Sequence, residues 1–84
     1  MAQRTAEIGN CREYHADGKP LAGSDRMTVD QMIAYSAKWP DTWHEYVGPS
    51  GHVAWARGGR EVHWRDLPVA LRSNAAHEVL GSAR

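Results

Sequence analysis

Residues 27–47 read MTVDQMIAYSAKWPDTWHEYV, and how this stretch folds decides the architecture. Thr28 is a good N-cap, and Gln31 follows three residues later, so the two can close a capping box. Met27 before the cap and Met32 inside the helix can form a hydrophobic staple. Val29, Met32, Ile33 and Ala37 then share one helical face. Pro40 disfavours helical geometry at Trp39, so this helix is predicted to stop by about Lys38. Residues 41–47 admit two readings. As a strand, they put Trp43, Glu45 and Val47 on one face and His44 and Tyr46 on the other, and neither face is cleanly apolar. As a helix opened by Pro40 and Asp41 and stopped by Gly48, they line up Trp43, Tyr46 and Val47 and turn Thr42, His44 and Glu45 outward. The helix is the preferred expectation.

After the Gly48-Pro49-Ser50-Gly51 turn, two alternating runs, 52–57 and 60–65, flank Gly58-Gly59. Two glycines between such runs predict a two-residue hairpin, because its turn needs positive φ. In that register Arg57 faces Arg60, Trp55 faces Val62 and Val53 faces Trp64. One face then carries Val53, Trp55, Val62 and Trp64 for the core, with both tryptophans buried. The other carries His52, Ala54, Ala56, Glu61, His63 and Arg65 for water or a partner. Asp66 can cap a last helix with Pro68 in its first turn. Leu67, Ala70, Leu71, Ala75 and Val79 form its stripe, and Gly81 ends it.

The first 26 residues are harder to read. Residues 6–15 form either a helix, with Ile8, Cys11 and His15 on one face, or a strand over 10–15 turning at Asp17-Gly18. Residues 20–25 read as a linker. This region, 1–26, is expected to be an arm or packed extension to a domain over 27–84.

The chain has 84 residues, enough for one small domain with a thin core that buries about 60–65% of its unfolded surface. Four Trp and three Tyr without Phe make the indole rings its main bulk. A single cysteine permits no internal disulfide and fits a reducing, cytoplasmic setting. No apolar run resembles a signal peptide or a membrane span. Ten basic side chains balance ten acidic ones. Residues 27–51 carry a net −2 and residues 52–84 a net +2, so a nucleic-acid surface is expected in the C-terminal half.

This order of elements resembles the winged helix-turn-helix domain of phage excisionases and MerR-like regulators over about residues 27–71. Met27-Thr28-Val29 looks like the start of the first helix, and Pro40-Asp41-Thr42-Trp43 like the entry to a recognition helix that ends at Tyr46-Val47. Gly58-Gly59-Arg60 looks like the wing tip, and Trp64 with Asp66-Leu67 like the exit into the last helix. The resemblance implies an α+β winged helix-turn-helix fold: a helix-turn-helix, a two-stranded antiparallel wing, a C-terminal helix and an N-terminal extension. It implies a DNA-binding protein of excisionase or transcriptional-regulator type with double-stranded DNA as partner. Residues 41–47 would lie in the major groove, presenting Thr42 and His44. Arg57 and Arg60 on the wing, extended by His63 and Arg65, would meet the backbone or minor groove.

The chain departs from that pattern in two places. Ser36, Ala37 and Lys38 stand where the family has Leu, Gly and Val, and His44 and Glu45 stand where it has basic residues. This supports a second expectation, a non-enzymatic protein-interaction module such as a phage-type inhibitor or assembly adaptor, whereas the DNA-binding reading adds cooperative neighbours or self-association through the last helix. Arg57 facing Arg60 is a like-charge pair that an anion would relieve, or two solvated side chains. Thr42 and His44 have ordinary solvated roles as alternatives. Cys11 and His15 could sit at metal-ligand spacing on a helix, but no second close pair completes a site, so no metal is expected. No nucleophile setting or carboxylate pair emerges, and neither an enzyme nor a cofactor is expected.

Overall fold

The computed structural model of the chain describes residues 6–21 and 23–72. They form an α+β fold. Five antiparallel strands make one sheet: β1 (Gly9–Tyr14), β2 (Asp25–Met27), β3 (Trp43–Val47), β4 (Val53–Arg57) and β5 (Arg60–Val62), in the order β2-β1-β3-β4-β5. One helix, α1 (Val29–Ser36), separates β2 from β3, and a 3₁₀ turn, Trp64–Asp66, follows β5.

The opening of α1 follows the sequence reading. Gln31 N donates to Thr28 Oγ1 at 3.2 Å, and Thr28 N donates to Gln31 Oε1 at 2.9 Å, so both halves of the capping box form. The chain leaves the helix before Pro40, with Lys38 N donating to Tyr35 O and Trp39 N to Ser36 O.

Residues 43–47 are β3, the middle strand, and not the second helix that was preferred. The strand reading had looked poor because neither face was cleanly apolar. Both faces are nevertheless buried, and His44 and Glu45 each meet a side chain of β1. Tyr14 Oη donates to Glu45 Oε1 at 3.1 Å, and His44 Nδ1 lies 3.7 Å from Glu13 Oε2. Backbone pairing on both sides, Cys11 to Tyr46 and Tyr46 to Ala54, outweighs the modest helical amphipathicity of a seven-residue segment. No second helix of a helix-turn-helix forms here.

Of the arm and the packed extension expected over residues 1–26, residues 9–14 and 25–26 fit the latter, since they pair into the sheet. The strand alternative for residues 10–15 is the one that forms, shifted by one residue to Gly9–Tyr14, and Gly18 turns the chain with a φ of 91°. Residues 25–27, partly assigned to a linker, pair with β1 as the edge strand β2.

The hairpin forms in the expected register, Arg57 to Arg60 and Trp55 to Val62, with Gly58 and Gly59 both at positive φ. Pairing stops at Val62, so Val53 does not face Trp64. His63 Nδ1 accepts from Arg65 N and turns the chain off the sheet, which leaves Trp64 46% exposed instead of buried. Asp66 lies in that turn rather than capping the last helix. A helical turn starts after Pro68, with Arg72 N donating to Pro68 O. Ala75, Val79 and Gly81 lie outside the described residues.

Both sheet faces are covered. Cys11, Tyr46, Ala54 and Ala56 pack under Val29 and Met32 of α1. The small Ala54 and Ala56, read from the sequence as a solvent or partner face, let the helix backbone approach the sheet. On the opposite face Tyr14, Trp43 and Trp55 pack with Leu67 and Leu71.

Candidate functional surface

This architecture redistributes the residues expected to contact DNA. Thr42 sits half-buried in the turn before β3, its N–H donating to Trp39 O. His44 is 1% exposed and packs edge-on against Tyr35 of α1 with ring centroids 5.8 Å apart. Burial pushes its pKa below the ordinary value, a tendency that nearby Glu13 opposes. A side chain so placed cannot read a base. Glu45, the residue of wrong sign for a DNA face, is equally buried. Burial and the Glu45 carboxylate both raise the pKa of Tyr14, so its hydroxyl stays a donor to that carboxylate.

Arg57 and Arg60 do face each other at the hairpin tip, but Arg57 is already engaged. Its Nε donates to Pro40 O at 2.9 Å, and its guanidinium lies 4.7 Å from the Trp43 ring centroid. Asp41, fully exposed, stands 3.9 Å away and contributes little. Contacts within the chain thus hold the Arg57 side chain in place. The tip is also anchored: Gly59 N donates to Ser36 Oγ at 2.8 Å, and a side chain at Gly59 would press on Ala37. It is tied to the end of α1. Arg60 remains exposed. His63, besides closing its turn, stacks on Trp64 with centroids 6.1 Å apart, and the Arg65 guanidinium lies 5.7 Å from the same indole. Arg57, Arg60, His63 and Arg65 thus fall along β5 and its two ends, whereas Thr42 and His44 do not join them.

Two exposed tryptophans lie on this margin: Trp64, expected in the core, and Trp39, read from the sequence only as the end of the helix. Trp39 is 52% exposed beside the hairpin tip, and Trp64 is exposed at the other end of β5. Pro40 after Trp39 was the available signal: it ends the helix and leaves the indole on a loop, outside any periodic apolar face.

Cys11 and His15 do not come together. On a strand, four residues span about 13 Å, and Cys11 is buried under α1 while His15 is exposed. Among the described residues no group of three or more His, Cys, Asp or Glu could hold a metal ion, and no helix is long and apolar enough to cross a membrane. No known family model, curated protein or solved structure matches the chain.

Proposed function

We propose that this chain is a non-enzymatic protein-interaction module that meets its partner along the β5 margin, through Trp39, Arg60 and Trp64. The observation that carries this reading is the pair of half-exposed tryptophans bracketing an exposed arginine on a protein of zero net charge. Trp and Arg are the residue types that dominate binding energy at protein interfaces. On this margin the two tryptophans supply exposed aromatic area, whereas the other large exposed apolar side chains among the described residues, Ile8 and Val69, are aliphatic. Site-specific photo-crosslinking from position 64 in cells that naturally make the protein is expected to capture one defined partner. With that partner purified, Trp64→Ala is expected to weaken binding by about 2 kcal/mol or more, roughly thirtyfold in Kd. Arg26→Ala, exposed on β2 at the opposite edge of the sheet, should leave it unchanged. Equal affinity of the Trp64→Ala and wild-type proteins would refute this reading.

A second reading keeps the winged-helix resemblance and DNA as the partner. The observation in its favour is the two-glycine hairpin with its paired arginines. In that case Arg57, Arg60 and Arg65 contact phosphates without base choice, since His44 is internal. A gel shift on the DNA upstream of the protein's own coding sequence, run across a salt series, separates the two. DNA binding would give a log–log salt slope that flattens by about two units in the Arg57→Ala/Arg60→Ala double variant. No shift even at low salt would exclude this second reading.

A further inference from the structure

The end of the sheet remote from the hairpin tip carries a contact that the proposed function does not use. Glu7, just before β1, reaches across to the turn between β3 and β4. Its Oε2 accepts from Ser50 N at 2.9 Å and its Oε1 from Ser50 Oγ at 2.9 Å. Tyr46 Oη donates to the Glu7 backbone oxygen at 2.9 Å and approaches Glu7 Oε1 at 3.4 Å. The surroundings are shaped to admit this side chain. A Cβ on Gly48 would come within 2.6 Å of Glu7 Oε1 and 2.8 Å of Tyr46 Oη. A Cβ on Gly9 would come within 2.5 Å of the Tyr46 ring. Two positions thus lack side chains where the strap and the Tyr46 ring pass.

We infer that residues 6–8 form a strap locked by the Glu7 carboxylate, and that release of this lock opens the β2–β1 edge beside Cys11, which α1 covers from above. The mechanical chain is short. The contacts of Glu7 fix the chain two residues before Gly9, and Gly9 pairs with Met27 at one end of the three-residue strand β2. Cys11 pairs with Asp25 at the other end of β2 and with Tyr46 on β3, and it is 5% exposed. A three-residue edge strand has few hydrogen bonds of its own, so it opens with whatever holds its neighbour. Charge-assisted hydrogen bonds from two donors of one turn add the Glu7 side chain to the backbone hold that Tyr46 provides on this end.

Cys11 is the chain's sole cysteine, so its thiol reports the opening directly. Burial raises its pKa to about 11, with nearby Asp25 adding to the effect. Opening therefore raises its reactivity twice, by access and by thiolate fraction. The test is the rate of reaction of Cys11 with Ellman's reagent on the full chain, at increasing urea below the unfolding transition. For Glu7→Ala the rate is expected to rise about tenfold or more over wild type and to stay nearly independent of urea at low urea, the signature of local opening. Ser50→Ala, which removes one donor and keeps the backbone one, should give a smaller rise of the same kind. An unchanged rate in both variants overturns the inference. So does a rise that follows the global unfolding constant, with its full urea dependence, because Glu7 would then be an ordinary stabilising residue and not a lock.

Discussion

Trp55→Ala is expected to lower the unfolding free energy by about 3–5 kcal/mol, most of what a domain of this size possesses. Trp55 is 2% exposed at the centre of the face covered by Leu67 and Leu71. Its ring lies 5.7 Å from that of Tyr14, two strands away. Its cross-strand neighbours are Glu45 on β3 and Val62 on β5. Truncation leaves a cavity that the surrounding strands cannot collapse into without breaking these pairings. It also removes the apolar cover beside the buried Glu45. Trp55→Phe should cost much less, because the indole N–H finds no acceptor among the described residues and only ring volume is lost. Urea unfolding followed by far-ultraviolet circular dichroism measures both. A loss below about 1 kcal/mol for Trp55→Ala would mean that this face is not a packed core.

Acidification is expected to destabilise the fold through His44. Burial holds its pKa below the ordinary 6.5. As pH falls through 6.5, the unfolded chain therefore takes up a proton that the folded chain refuses. The stabilisation is complete above 6.5, declines as the pH drops below it, and levels off once the folded-state value is passed. One proton limits the slope to about 1.4 kcal/mol per pH unit. The attraction of Glu13, 3.7 Å from Nδ1, reduces the effect without reversing it. Unfolding free energies measured from about pH 8 to about pH 5 should show this decline, and His44→Leu should lack that component. An identical pH profile in the variant would show that His44 is not held neutral in the interior.

What could be read from the sequence was local chemistry. Thr28 with Gln31 specifies a helix start through side-chain atoms three residues apart. Gly58-Gly59 specifies a hairpin because few other residues accept its backbone angles. Both signals are complete within a few residues. The identity of residues 43–47 was not legible in the same way. His44 and Glu45 look like an outward polar face, and what makes them interior residues is Glu13 and Tyr14, about thirty positions earlier. Ala54 and Ala56 were ambiguous for a related reason: alanine suits a solvent face or a close-packed helix equally, and only the presence of α1 decides. The expected DNA-contacting set divided along the same line. Arg57 and Arg60 lay within a local motif and kept their register. Thr42 and His44 depended on the long-range pairing of β3 and moved into a turn and the core.

Residues 43–47 form the middle strand of the sheet, which leaves no recognition helix there, and the proposal of a β5-margin contact surface depends on this placement. Backbone chemical shifts and cross-strand nuclear Overhauser effects test it most directly. The expected result is extended-strand shifts over Trp43–Val47, with contacts from Tyr46 to both Cys11 and Ala54. Helical shifts over residues 41–47, with sequential amide contacts and no contact between Tyr46 and Cys11, would contradict it.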